Sequence, residues 1–305
     1  MGFAPQSVSG PRLRLSHSFA AIVTPPCDSL PAMQRLYESA FDLPGALPPG
    51  AIGIDAGLTL TKVVRASGTS IETFAFETAT GGAEIAAENG APVGVTGARS
   101  SVYNVLDGAV AAQEIEAAAR GAVALAEIDA DFVLALLGTG TAFAAVRGGN
   151  VSHLGGTPLG GGSFTGIARR IEPSLSYDAT IAAAARGDRR HADLMVSDAY
   201  PEGIGRIGGD MTAAHLAKHD GASADDVLAA LLNLHGENIA QIAASRAIIA
   251  QLPRLVIAGG FAHENASLVA SLTGMTRLFG VETVVVPHPG FAGALGAALI
   301  ANEHM

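Results

Sequence analysis

One pattern occurs twice in this chain: an apolar strand runs straight into a glycine turn and out into a second strand. The first copy joins Ala51–Ile54 to Thr61–Arg65 within GIDAGLTLTK (Gly53–Lys62). The second joins Phe132–Leu137 to Ala142–Arg147 through GTGT (Gly138–Thr141). Each copy opens a run of alternating strands and helices, so the chain reads as two α/β halves with a cleft between them. In such sheets ligands sit at the strand ends beside the cleft.

Further strands are expected at Ile71–Phe76, Val93–Thr96, Val151–Leu154, Arg254–Ala258 and Glu282–Val286. Helical spacing is read ahead of Val93, over Glu114–Glu127, Ser163–Ile171, Tyr177–Arg186, His191–Ala199, Ala213–Lys218 and Ala224–Ala250, and after Gly260 and Gly293. Residues 1–50 differ. Eight prolines punctuate them, and they read as a partly ordered extension with one strand (Leu13–Val23) and one short helix (Met33–Phe41). The expected division is therefore 1–50, 51–132 and 133–305, with the last helix packing back on the first α/β domain.

Composition excludes several classes of function. The formal net charge is −10 and no basic stripe is present, which argues against a nucleic-acid partner. A single cysteine, Cys27, cannot form an intrachain disulfide or a cysteine-based metal site. No apolar run reaches the ~18 residues of a membrane span, and Phe19–Val23 is shorter than the roughly 7–15 residues of a secretory core, so a cytoplasmic setting is expected.

The glycine-rich loops carry the candidate chemistry. In the first, Asp55 ends an apolar strand, Gly57 permits a sharp turn, Leu58 follows, Thr59 and Thr61 offer hydroxyls and Lys62 a cation. A carboxylate holding Mg²⁺ through water, beside backbone N–H groups facing phosphates, suits phosphoryl transfer; an ordinary hairpin with a capping Asp fits the same residues. In the second, Gly138, Thr139, Gly140 and Thr141 can wrap phosphates with N–H and O–H donors, or form a plain turn. In LGGTPLGGGSFTG (Leu154–Gly166), Gly160, Gly161 and Gly162 lead into a helix start that favours anions and leaves much backbone N–H open. Gly259, Gly260 and Phe261 lie at a strand-to-helix crossing where a flat ring such as adenine can rest on the backbone. The P-loop, dinucleotide, zinc-protease and nucleophile-elbow motifs are absent.

Taken in order, GIDAGLTLTK, VTGARS (Val95–Ser100), QEIEAAARG (Gln113–Gly121), LLGTGTAF (Leu136–Phe143), LGGTPLGGGSFTG, GDMTAA (Gly209–Ala214), IAGGF (Ile257–Phe261) and GFAGALGA (Gly290–Ala297) resemble the type II pantothenate kinases. These belong with acetate kinases, sugar kinases, heat-shock ATPases and actin. The resemblance runs from about Gly53 to about Ile300. It implies an actin-like ATPase fold of two ribonuclease-H-like domains, phosphorylation of pantothenate by ATP with Mg²⁺ as the first step towards coenzyme A, and a homodimer.

It also implies roles for single residues. Glu114 matches the family's catalytic base, with Glu116 two residues on as the fallback. The substrate side falls on Thr96, Gly97, His153, Gly155 and Thr212, and the Thr212 position reaches the substrate pocket of the dimer partner. Two positions depart from the family. His153 stands where its members carry a substrate-binding arginine, and an imidazole cannot fork two hydrogen bonds onto a carboxylate. Leu58 stands where the hairpin usually has a second glycine, which is expected to narrow the phosphate loop. A kinase of another hydroxylated acid or amide, and a non-catalytic nucleotide-binding regulator, are the alternative expectations.

Overall fold

The computed structural model describes residues 35–304 apart from 44–46, 78–91, 104, 105, 107, 206 and 219, all within one compact unit, Gln34–Met305. The expected strand Leu13–Val23, the helix ahead of Val93 and Cys27 lie outside the described residues. In the first lobe, β1 (Arg35–Asp42), β2 (Ile52–Ala56), β3 (Leu60–Ser67), β4 (Ser70–Glu77), β5 (Val93–Thr96) and β6 (Val110–Ala111) form one sheet in the order β1-β4-β3-β2-β5-β6. Strands β2, β3 and β4 form an antiparallel meander, and β5 and β6 add in parallel on the far side of β2.

The second lobe repeats the plan. Strands β7 (Phe132–Leu137), β8 (Thr141–Arg147) and β9 (Asn150–Thr157) form the meander, and an excursion carries a small ribbon, β10 (Leu194–Met195) with β11 (Thr212–Ala214). Strands β12 (Arg254–Ala258) and β13 (Glu282–Val285) then add in parallel beside β7, giving the order β13-β12-β7-β8-β9. Both lobes thus have the ribonuclease-H-like arrangement, with β1 an extra edge strand on the first.

Among the described residues, six helices of more than one turn cover these sheets: α1 (Glu114–Ala126), α2 (Gly161–Ile171), α3 (Tyr177–Arg186), α4 (Ala224–Ile249), α5 (Ala266–Leu278) and α6 (Ala292–Glu303). One core lies between the second sheet and α2–α5, where Val133, Leu137, Phe143 and Ile257 meet Phe164, Leu228, Ile239 and Leu268. The other lies between the sheets, where α1 and α6 pack on each other, α6 against β2 and β5 and α1 against β7, β8, β9 and β12. Helix α6 is Ala/Gly-rich and buried nearly all round, as a helix enclosed by a sheet and another helix must be. Gly94 and Gly296 are needed there: a Cβ on either would fall inside the carbonyls of Ala297 and Ala117 respectively. Among the described residues no helix is long and apolar enough to cross a membrane.

Three expected elements take other forms. Residues 35–41, read as a helix, are β1: Tyr37, Ser39 and Phe41 turn inward while Leu36, Glu38 and Ala40 stay exposed, a period of two that pairs with the open edge of β4. The expected helix His191–Ala199 divides into a 3₁₀ turn (Arg189–His191), β10 and one helical turn (Val196–Ala199). The expected helix Ala213–Lys218 is β11 followed by a turn. The buried Asp193 carboxylate accepts from the Leu216 amide at 2.8 Å, and the long-range pairing overrides local helix propensity.

Candidate active site

The cleft is lined by the two glycine turns, which occupy equivalent places after the first strand of each meander. In the first lobe, Asp55 and Lys62 face each other across β2 and β3, and the Lys62 ammonium donates to Asp55 Oδ2 at 2.6 Å. Asp55 is buried, and its cost of burial is offset by this charge-assisted bond. The start of β2's neighbouring turn keeps space around the carboxylate. Gly97 has φ +94°, and a Cβ there would stand 2.7 Å from Asp55 Oδ1; one on Gly293, at the start of α6, would stand 3.0 Å from Oδ2. The N-terminus of α6 thus faces an anion, the favoured polarity.

Glu114 opens α1, whose first turn is capped by Gln113 accepting from the Glu116 amide at 2.9 Å. Glu114 is exposed at the start of α1; partial desolvation there raises its carboxyl above its ordinary pKa, the Asp55 charge adds to the rise, and Lys62 partly opposes both. Glu114, distant in sequence from the Asp55–Lys62 pair, therefore shares one electrostatic field with it. Thr96 pairs in register with Asp55, but its buried hydroxyl donates to the Ala112 carbonyl at 2.9 Å and is committed to the fold.

The second turn has no charged side chain in it. Gly138 and Thr139 are exposed, while Thr141 is buried and donates to the Leu159 carbonyl at 2.8 Å, so only Thr139 presents a free-facing hydroxyl. Across the cleft the Thr59 and Thr139 hydroxyl oxygens lie 3.3 Å apart, which brings the two turns together. Leu58 in the first turn is 54% exposed.

Behind the second turn the amides of Gly160, Gly161 and Gly162 are not open donors. They donate to Ser163 Oγ at 3.0 Å, Gly138 O at 2.9 Å and Thr139 O at 2.9 Å. The triple glycine is there because a Cβ on Gly160 would stand 2.7 Å from Gly140 Cα. Its amides shape the turn instead of facing a ligand. Gly259, at φ +107°, donates to Pro289 O at 2.7 Å, and the Phe261 amide donates to Leu137 O at 3.0 Å. The Phe261 ring is buried against Phe164 and His235, so at this crossing the backbone, with open space over Gly260, is what a flat ring could meet.

The expected substrate residues separate. His153 is exposed on β9 and lines a cavity of about 310 Å³ with Gln113, Ile115, Glu116 and Asn150. Gly155, two residues on and past a β-bulge, has φ +95°, and a Cβ on it would stand 3.5 Å from the Arg246 guanidinium. Thr212 is in β11. Its hydroxyl accepts from Arg189 at 2.7 Å and from Asn233 at 3.1 Å, and donates to Glu237 at 3.1 Å. Sequence reasoning missed this Arg189–Glu237–Asn233 group, because it is assembled from three separate segments. It also missed the buried His235, which has no local motif.

Two ribonuclease-H-like lobes with paired glycine turns at the cleft define an actin-like ATPase fold, the architecture shared with the sugar kinases. The activator of the 2-hydroxyisocaproyl-CoA dehydratase from Clostridium difficile, solved with bound ADPNP, has this fold: TM-score 0.59, 19% identity, covering 83% of this chain and 94% of that one. The Fumble family model matches residues 124–300, and the chain belongs to that family. A type II pantothenate kinase from Oceanobacillus iheyensis is 32% identical over 172 residues, 55% of this chain and 64% of that protein. The alignment thus spans just under two thirds of that relative. A type II pantothenate kinase from Staphylococcus aureus is 29% identical over 261 residues, 81% of this chain and 97% of that protein.

Proposed function

We propose that this chain transfers a phosphoryl group from ATP to the terminal hydroxyl of pantothenate, the first step towards coenzyme A, in the cytoplasm. The observation that carries the reading is the cluster of Glu114, Asp55 and Lys62 beneath the two apposed turns. Glu114, with its proton affinity raised, is the base that accepts the hydroxyl proton as the phosphoryl group departs. The phosphates are assigned to Gly57, Leu58, Thr59 and Lys62 of the first turn and to Gly138, Thr139 and Gly140 of the second, with Thr141 and Gly160–Gly162 shaping it. The adenine is assigned to the backbone at Gly259–Phe261. The cleft then separates residues 51–132, with β1 added at the sheet edge, from residues 133–305, whose last helix packs back on the first sheet.

Asp55 fits a hydrated Mg²⁺. Gly97 and Gly293 leave room at its carboxylate, and Mg²⁺ binds through one or two carboxylates, water and phosphate oxygens. When bound, the ion neutralises phosphate charge. Lys62 orients the Asp55 carboxylate through their 2.6 Å ion pair.

A homodimer is part of the proposal. Exposed Leu194, Tyr200, Ile204 and Ile207 on the excursion around β10 and β11 supply an apolar surface of the kind that subunit contacts cover. Thr212 lies on the same excursion. ADP release with pantothenate and a panel of hydroxy acids tests the activity: tight ATP binding with no turnover on any acceptor would favour the regulator reading instead.

The cavity beside His153 favours a second reading. Its lining includes the Glu116 carboxylate and, among the described residues, neither lysine nor arginine. A carboxylate placed there meets like charge and no forked donor, whereas a neutral amide of the same acid meets Gln113, Asn150 and His153. A higher kcat/KM for the amide than for pantothenate supports this reading. His153→Arg should then lower the KM for pantothenate; an unchanged value removes His153 from the substrate side.

A further inference from the structure

His235 sits in the middle of α4 and is fully buried, edge-on to the rings of Phe164 and Phe261. Its Nδ1 lies 2.8 Å from the Leu231 carbonyl one turn earlier. A carbonyl only accepts, so Nδ1 carries the hydrogen and Nε2 of the neutral ring is a bare acceptor. Burial, partly opposed by the Leu231 carbonyl, holds this imidazole below its ordinary pKa and so in the neutral form. Nε2 lies 2.9 Å from the hydroxyl of Ser163 in the first turn of α2. That hydroxyl has a second acceptor in reach, Gly160 O at 3.1 Å, and the imidazole is the closer.

Ser163 Oγ in turn accepts from the Gly160 amide at 3.0 Å. Gly160 presses on the second glycine turn, with no room for a Cβ against Gly140, and the next two amides bond to the carbonyls of Gly138 and Thr139. Hydrogen bonds joined through the Gly160–Gly162 backbone therefore link the core of α4 to the turn whose Thr139 faces Thr59. Thr139 and Gly138 are exposed, while their carbonyls are held by the Gly161 and Gly162 amides.

We infer that His235 is a positioning residue for nucleotide binding. By accepting the Ser163 hydroxyl it fixes the rotamer that clamps Gly160–Gly162 onto the Gly138–Gly140 turn, and so sets the shape presented to the nucleotide phosphates. This inference rests on the assignment of that turn to phosphate in the proposed function. It concerns the nucleotide side alone, because the path touches neither Glu114 nor the His153 cavity.

The test measures ADP affinity by calorimetry, melting temperature, and KM for the acceptor in the full chain. His235→Leu removes the acceptor nitrogen while keeping apolar bulk, Ser163→Ala removes the hydroxyl from a half-buried site where folding is safe, and His235→Gln restores an acceptor. Gly160→Ala is the control that disturbs the turn directly. The inference expects ADP affinity to fall about tenfold, one ~1.4 kcal/mol step, in His235→Leu and in Ser163→Ala. It also expects the double variant to be no worse than either single one, His235→Gln to recover most of the loss, and acceptor KM to change little. If ADP affinity is unchanged in Ser163→Ala and in folded His235→Leu while Gly160→Ala binds poorly, the positioning role is overturned and the phosphate assignment stands. If Gly160→Ala also binds ADP normally, the phosphate assignment falls and the inference falls with it. Equal losses in ADP affinity and acceptor KM would mark a merely structural histidine and would likewise overturn it.

Discussion

The two glycine turns occupy the same place in the same topology and are built for different tasks. The Gly57–Thr59 turn is flanked by ionisable side chains: Asp55 and Lys62 on its strands, with Glu114 brought in from α1. The Gly138–Gly140 turn is flanked by backbone, with the Gly161 and Gly162 amides bonded to its carbonyls and Thr141 committed to Leu159. A repeated strand–turn–strand unit therefore does not imply a repeated function. The first turn carries the groups that can move a proton and bind a cation. The second supplies a rigid shape whose precision comes from glycines that admit no side chain.

This contrast can be broken by substitution. Its strongest claim is that charge chemistry belongs to the first lobe. Glu114→Gln should lower kcat by ~10²–10⁴, the usual worth of a positioned general base, while ADP affinity measured by calorimetry is retained. Full activity in that variant would move the base to another residue, with Glu116 the next to test. Asp55→Asn should cost on the order of 10²–10³ in kcat, as the loss of one preorganised electrostatic group does, and should raise the Mg²⁺ concentration needed for half-maximal rate. An unaltered Mg²⁺ dependence would remove the ion from Asp55.

The second turn should respond more mildly. Thr139→Val removes one hydroxyl that faces the cleft, and a lost hydrogen bond of about 1 kcal/mol predicts a rise of roughly fivefold in KM for ATP with little change in kcat. The pH dependence sharpens the same division. As the proposed base, Glu114 acts deprotonated, and its carboxyl is raised, chiefly by partial desolvation and then by Asp55, so the acid limb of kcat/KM should lie above the ordinary carboxylate range. Lys62 opposes the shift, so Lys62→Met should move that limb to higher pH and Asp55→Asn to lower pH, whereas Thr139→Val should leave it in place. A limb that moves with Thr139 would refute the separation of roles. Least affected should be Leu58→Gly: an exposed side chain is typically worth no more than ~0.5 kcal/mol, so KM for ATP should change less than about threefold.

Much of this site was legible without coordinates. The strands β5, β7 and β12 and the helix Tyr177–Arg186 fall where apolar runs and spacing put them. Both turns lie where glycine follows an apolar strand, because a sharp turn after a buried strand leaves a strong local mark in the residues themselves. Less legible were elements decided by a distant partner. Strand β1 forms because the edge of β4 is open to it, and β11 forms because Thr212 and Leu216 are held by Arg189, Glu237 and Asp193. No short window of sequence contains those partners.

The sequence by itself determined the two-lobed α/β plan, the two glycine turns and the residue types able to handle phosphate. Each of these depends on local periodicity or on the conformational freedom of glycine, which act within a few residues. Only the tertiary structure decided that Glu114 shares a field with Asp55 and Lys62, that the Gly160–Gly162 amides point into the protein, and that His153 and Gly155 have different neighbours. These depend on burial, on charges meeting through space and on which carbonyl lies within 3 Å of an amide, quantities that exist only once the chain is folded.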